Sequence, residues 1–264
     1  MTEENKKMLE YLLSTSEIAR NVNPVLQSKI KFRVGSNGVG TWEHPETHCE
    51  HLFRYNCSSA EETGFRRSRA MMPFQYMDKT GKDFDWNIYG VDSEESKKVV
   101  NAFLIKFPEV SEHGFGLYIY SKTKGSGKTM LSCCIINELA KRYVAYSYKF
   151  CSVPDLIELT KDFHNQESQK AVRELYSCSV LVLDDIGVQM SRDWTNDVLY
   201  RLINTRMNNK NVTIYTSNME MDKLNLDERI IDRISAGTYK VSLPEVSIRQ
   251  KEAWERKREV LYGR

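Results

Sequence analysis

The chain has 264 residues, 41% of them hydrophobic and 28% charged, enough for one large α/β domain of about 150 to 170 residues and a smaller attachment. A formal charge of +2 is too small to announce a nucleic-acid binder by itself, so any such role must rest on local patches. No apolar run approaches the roughly 18 residues of a membrane span and no signal-type apolar core follows Met1–Lys7, which predicts a cytoplasmic protein with no membrane partner.

Glu3 to about Arg20 reads as a helix, with Met8, Leu9, Leu12, Leu13 and Ile18 at helical spacing, and Pro24 ends that region. Lys29-Ile30-Lys31-Phe32-Arg33 alternates basic and apolar residues before the turn at Gly35–Gly40. His44, His48, His51, Cys49 and Cys57 then fall within fourteen residues. Four of them, His48, Cys49, His51 and Cys57, could hold Zn²⁺, although the spacing lacks a C-x₂-C pair and an ordinary polar loop fits it as well. Phe65-Arg66-Arg67-Ser68-Arg69, on a short helix begun near Ala60, is a solvated face or a contact for phosphate or an acidic partner. Met72–Trp86 is aromatic and aperiodic, as expected of a linker that packs against the domain it enters. The resulting division is a small amino-terminal domain at 1–75, a linker at 76–90 and the large domain at 91–264.

Asp92-Ser93-Glu94-Glu95 resembles a capping box, opening a helix whose apolar face is Val99, Val100, Phe103, Leu104 and Phe107, until Pro108 stops the pattern. Gly116–Tyr120 is an apolar run that breaks into Ser121-Lys122-Thr123-Lys124-Gly125-Ser126-Gly127-Lys128-Thr129 and then into an apolar helix from Met130 to about Arg142. This is a strand, a phosphate loop and a helix. Gly125 and Gly127 let the backbone turn its amides inward around phosphate oxygens, at the positive end of the helix. In the pattern G-x-x-x-x-G-K-[ST], Lys128 reaches the β and γ phosphates and the Thr129 hydroxyl ligates Mg²⁺, with Lys124, Ser126 and Met130 completing the cradle. Lys122 stands where the pattern has its first glycine.

Tyr143–Phe150 alternates as a second strand, Ser152-Val153-Pro154 starts a helix to about His164, and Glu167–Tyr176 is a further helix. Ser179–Leu183 is a buried parallel strand ending in Asp184 and Asp185, at the sheet edge where α/β folds place ligands. Asp184 there would hold Mg²⁺ through water and Asp185 would orient or deprotonate the attacking water, while a simple helix cap is the alternative. A long helix carrying Trp194, Val198, Leu199, Leu202, Ile203 and Met207, a strand at Asn211–Asn218, a helix at Asp227–Ser235, a short strand at Tyr239–Leu243 and a terminal helix at Arg249–Tyr262 complete the chain. Such alternation predicts a parallel sheet covered by helices on both faces. Cys133, Cys134, Cys151 and Cys178 read as reduced structural thiols.

Together, the residues at 116–129, 179–185, 212–218 and 227–249 resemble the AAA+ P-loop ATPases, and more narrowly the bacterial and phage helicase loaders of the DnaC/DnaI type. The narrow resemblance rests on Leu183-Asp184-Asp185-Ile186-Gly187, Thr216-Ser217-Asn218 and Glu228-Arg229-Ile230-Ile231-Asp232-Arg233-Ile234, and covers about Trp86 to Ala253. It implies that Asn218 positions the attacking water, that Arg233 projects into a neighbouring subunit's site, and that Arg249 touches the γ phosphate in cis. It further implies ATP with Mg²⁺, self-assembly through the ATPase domain, and a mainly helical amino-terminal domain that binds a replicative DNA helicase for delivery onto single-stranded DNA. Two other expectations stand beside it: a transposition ATPase of the IstB type, and a module that binds ATP and a partner but scarcely hydrolyses, kept open by Asp185 where glutamate is commoner.

Overall fold

The computed structural model describes residues 9–10, 12–13, 17–34, 39–54, 70–143, 145–162, 165–187 and 193–263. They divide into two compact units, one drawn from Met1–Arg66 and Ala140–Ser147, the other from Arg67–Leu139 and Tyr148–Arg264. Phe65–Arg69 and Cys57 lie outside the described residues.

In the smaller unit, α1 (Glu17–Arg20) and α2 (Pro24–Gln27) precede a meander of β1 (Lys31–Val34), β2 (Val39–Glu43) and β3 (Glu50–Arg54). The three strands pair antiparallel in the order β1-β2-β3. Pro24 opens α2 rather than only ending what precedes it, because Asn23 caps the helix through its side chain and the proline takes a first-turn position that needs no N–H. Leu12, Ala19, Val22, Ile30 and Trp42 form its core.

In the larger unit, the apolar runs at Gly116–Tyr120, Val180–Asp184 and Val212–Ser217 become central strands buried on both faces, while the edge strands at Tyr148–Ser152 and Thr238–Ser242 are less buried. These are β4 (Gly116–Tyr120), β5 (Tyr148–Ser152), β6 (Val180–Asp184), β7 (Val212–Ser217) and β8 (Thr238–Ser242), in the order β5-β6-β7-β4-β8 with every pairing parallel. Before them run α3 (Glu94–Ile105) and α4 (Phe107–His113), between them α5 (Lys128–Arg142), α6 (Val153–Lys161), α7 (Gln166–Ser177), α8 (Asp193–Asn208) and α9 (Glu228–Ala236), and after them the terminal α10 (Ile248–Tyr262). From β4 the chain crosses to the β5 edge, steps back through β6 and β7, and ends beyond β4 at β8. The carboxyl ends of β4, β6 and β7 therefore lie side by side, the place where such sheets bind ligands.

Three local readings are corrected. Pro108 does not end the helical stretch: α3 stops at Ile105, and Pro108 sits in the first turn of α4. Ser93 makes no side-chain cap; Asp92 Oδ1 accepts the Glu94 amide instead, at 2.9 Å. The second strand begins at Tyr148 and runs through Cys151 to Ser152, where the Ser152 hydroxyl caps α6. Among the described residues no helix is long and apolar enough to cross a membrane.

The segment read as a linker is seated on the large unit. Asn137 on α5 donates to the carbonyls of Tyr76 (3.0 Å) and Lys79 (2.6 Å), and the Tyr89 hydroxyl donates to Ser126 O at 2.8 Å. Phe84 and Tyr89 are buried.

One buried cation holds the sheet's far end. Arg206 is 1% exposed, and its guanidinium donates to the carbonyls of Leu175, Cys178 and Val212 and to the Thr213 hydroxyl, joining α7, β7 and the turn before β6. Arg206→Leu would strand these acceptors, each costing about 1–3 kcal/mol. We expect a loss of at least about 3 kcal/mol, read as a lower urea midpoint at unchanged slope.

Candidate functional site

A cleft of about 810 Å³ opens at the carboxyl edge of the sheet, lined by Lys124–Met130, Asp185, Asn218 and Arg249, and on its outer side by Gln75, Tyr76, Lys79 and Asp83. The phosphate loop forms its floor. Gly125 (φ +77°) and Gly127 (φ +94°) lie in the left-handed region, and a Cβ on Gly127 would stand 3.1 Å from Ile248 and 3.2 Å from Phe84. Glycine is the residue that holds this loop open and still turns its amides toward a ligand. Lys122 at the first-glycine position is not among the residues with positive φ, which is why a lysine fits there.

Lys128 is 5% exposed, and its ammonium donates to Ser121 O (3.1 Å), Thr123 O (3.0 Å) and Ser126 Oγ (3.1 Å). Burial holds it below the usual lysine value, against the pull of Asp185, Glu245 and Asp184. Its charge rests on the loop's own acceptors, ready for transfer to an anion.

The two aspartates behave differently. Asp184 ends β6, is 6% exposed, and accepts from Thr216 Oγ1 (2.6 Å) and Thr129 Oγ1 (3.2 Å). Burial lifts its carboxyl to about 6, the two hydroxyls oppose this, and the neighbouring Asp185 adds to it. Asp185 has φ +59°, a conformation that Asp and Asn tolerate better than glutamate, so the backbone itself accounts for the shorter acid. Its amide donates to Thr216 Oγ1 at 3.0 Å, and Asn218 Nδ2 approaches its Oδ1 at 3.4 Å. Thr216 and Ser217 stitch the ends of β6 and β7 together through Asp184, Asp185 and Ile186.

A carboxyl raised in the fold stabilises it fully only below its unfolded value near 3.9, and that contribution is lost as pH rises to about 6. At pH 7.5 the charged Asp184 is therefore a burden that a divalent cation would relieve. Asp184→Asn keeps the shape and should raise metal-free stability by about 1–2 kcal/mol while lowering Mg²⁺-dependent nucleotide affinity. Urea unfolding at pH 5 and 7.5 checks the first part, since the gain should fall to roughly half at the lower pH, which lies between the unfolded and folded values.

Arg249 lines the cleft, and its amide donates to Gly125 O at 3.1 Å. Arg233 does not line it. It stacks on the Tyr200 ring at 4.7 Å and donates to Asn204 Oδ1 (2.9 Å), Tyr200 Oη (3.1 Å) and Arg229 O (3.0 Å). Arg229 lies over the same ring at 4.9 Å.

The described part of the histidine and cysteine cluster fits the polar-loop reading. His48 Nδ1 pairs with Glu43 at 2.8 Å, His51 stacks on Trp42 at 4.8 Å, and His44 Nδ1 accepts the Glu46 and Thr47 amides. Among the described residues no group of three or more His, Cys, Asp or Glu could hold a metal ion, so His48, Cys49 and His51 are not brought together as Zn²⁺ ligands, and Cys57 is not described. Cys133, Cys134, Cys151 and Cys178 are buried free thiols, pushed up by burial to about 12 at Cys134 and Cys151.

Comparison with known proteins agrees with this geometry. The family model described as IstB-like ATP binding protein matches residues 46–256. The replicative helicase loader DnaI of Bacillus subtilis (strain 168) is 34% identical over 127 residues, 47% of this chain and 40% of that protein. The replicative helicase loader DnaC of Escherichia coli (strain K12) is 28% identical over 183 residues, 65% of this chain and 73% of that protein. A crystal structure of DnaI superposes with a TM-score of 0.57 at 29% identity, over 66% of this chain and 95% of that one. The chain belongs to the family of IstB-like ATP binding proteins, with the AAA+ fold and with similarity to helicase loaders of the DnaC/DnaI type.

Proposed function

We propose that the chain is an ATP-hydrolysing loader that binds a replicative DNA helicase and delivers it onto single-stranded DNA. One observation carries the reading: the glycine cradle, Lys128, Asp185, Asn218 and Arg249 border one cleft in a chain whose relatives are named helicase loaders. The residues present fit a nucleoside triphosphate, since the loop keeps positive φ at Gly125 and Gly127 and the buried Lys128 ammonium rests on neutral acceptors of the loop. They fit Mg²⁺ also, because Thr129 and Asp184 converge on each other as oxygen donors.

In this reading Lys124–Met130 would hold the phosphates, and Thr129, with Asp184 through water, would hold Mg²⁺, which when bound would neutralise phosphate charge. Asp185 orients or deprotonates water with Asn218 beside it, Arg249 meets the γ phosphate in cis, and Arg233 reaches the site of a neighbouring copy. Residues 91–264 form the ATPase domain, 76–90 join it, and 1–75 engage the helicase.

The test uses the full chain with the replicative helicase of the same genome and single-stranded DNA. Helicase on the DNA should rise at least about tenfold when chain and ATP are both present. No helicase binding, or no change in DNA occupancy, rejects the loader reading. The family description favours one other reading, an IstB-type transposition ATPase, which predicts ATP-dependent stimulation of a partner integrase instead.

A further inference from the structure

The phosphate loop lacks its first glycine, yet its entry is held as firmly as any part of the site. The side chain responsible is Glu245, in the connection between β8 and α10. Its carboxylate accepts the amides of Lys122 (2.9 Å) and Thr123 (2.6 Å), the Thr123 hydroxyl (2.8 Å) and the Ser121 hydroxyl (3.3 Å). Burial alone would raise this carboxyl, and the donors of Lys122, Thr123 and Ser121 outweigh it and hold it below the usual value.

The other side of the same backbone belongs to Lys128. Ser121 O and the Lys122 amide are two ends of one peptide unit: the carbonyl accepts Lys128 Nζ while the N–H donates to Glu245. That peptide unit is clamped at both ends. When Lys128 turns to a phosphate it leaves Ser121 O and Thr123 O, and Glu245 is then the clamp that remains. The rest of the connection follows the loop in step, with the Leu243 amide on Tyr120 O (2.8 Å) and the Arg249 amide on Gly125 O (3.1 Å).

We propose that Glu245 is a positioning residue for the nucleotide site, a latch that fixes the entry of the phosphate loop in place of the missing glycine and ties it to the segment carrying Arg249. It rests on the nucleotide-binding reading above. Its sign is opposite to that of simple electrostatics. A carboxylate beside phosphates repels them, so a bystander Glu245 would weaken ATP binding and its neutralisation would tighten it. A latch predicts the reverse, because ordering the loop before binding removes a cost that the ligand must otherwise meet.

Glu245→Gln tests this, since glutamine keeps the size but offers one acceptor oxygen and turns an NH₂ toward donors. Binding of ATP with Mg²⁺ should weaken about fivefold to tenfold, KM for ATP should rise by a similar factor with kcat at saturating ATP kept within about twofold, and amide exchange at Lys122 and Thr123 should accelerate about tenfold in nucleotide-free protein. The melting temperature should stay within about 2 °C, which a general structural role would not allow. Thr123→Val, losing one hydroxyl donor and keeping both amides, should move in the same direction by less. Equal or tighter ATP binding by Glu245→Gln, or unchanged exchange at the two amides, overturns the latch. A parent protein that binds no ATP overturns instead the function on which it rests.

Discussion

Lys128→Ala should bind ATP roughly 10²- to 10³-fold more weakly than the parent, the loss expected when a buried cation placed against phosphates is truncated at a cost of about 2–5 kcal/mol. The geometry makes the reason specific. Without nucleotide the ammonium is shared among Ser121 O, Thr123 O and Ser126 Oγ, all neutral acceptors. A triphosphate offers the same ammonium charged oxygens, and charge-assisted bonds are about twice as strong as those to neutral groups. Isothermal titration at fixed Mg²⁺ measures the change. Affinity within about threefold of the parent would mean that Lys128 only braces its own loop.

Much of this site is legible in the sequence, because its chemistry is local in the chain. Strand, loop and helix follow one another from Gly116 to Arg142, and Asp184 and Asp185 close an apolar run that only a strand buried on both faces explains. What escaped was what depends on contacts distant in sequence. Glu245 lies 122 residues from Thr123, in a stretch with no periodic or motif signal, and only the pairing of β8 with β4 brings it alongside. Tyr89 and Asn137 anchor the segment before α3 through three side-chain bonds to carbonyls, which leave no pattern in composition. The shift of the second strand to Tyr148–Ser152 has a similar cause: alternation at Tyr143–Phe150 satisfies a strand template, but pairing with β6 starts at Tyr148. The histidines stood open in the sequence between a metal set and an ordinary polar loop. Spacing alone allowed a metal set, and the fold spends His48 on Glu43 and His51 on the Trp42 ring.

Arg233→Ala should bind ATP nearly as the parent does and lose about 10³-fold in turnover, because a guanidinium donated in trans stabilises the developing charge at a neighbour's site and is absent from its own. Its surroundings suit that task. Tyr200 lies against both Arg233 and Arg229, and Asn204 and the Arg229 carbonyl fix the guanidinium on the face of α8 and α9, away from the cleft that holds Lys128. A structural arginine would sit there too, so loss of activity alone does not decide between the roles. Mixing does. Asp185→Asn keeps the phosphate cradle and the tolerance for φ +59°, so it should bind ATP, assemble and fail to turn over. In mixed assemblies, an Arg233→Ala subunit supplies Asp185 and an Asp185→Asn neighbour supplies Arg233, so at equal proportions about one interface in four is complete. Turnover should reappear to roughly a quarter of the parent's and fall as either variant is put in excess. Damage confined to the Arg233→Ala subunit, such as a loosened α8–α9 contact, gives no such recovery, because no neighbour can restore a missing bond inside another chain. A mixture that stays inactive where the parent assembles and hydrolyses would return Arg233 to a purely structural place beside Tyr200.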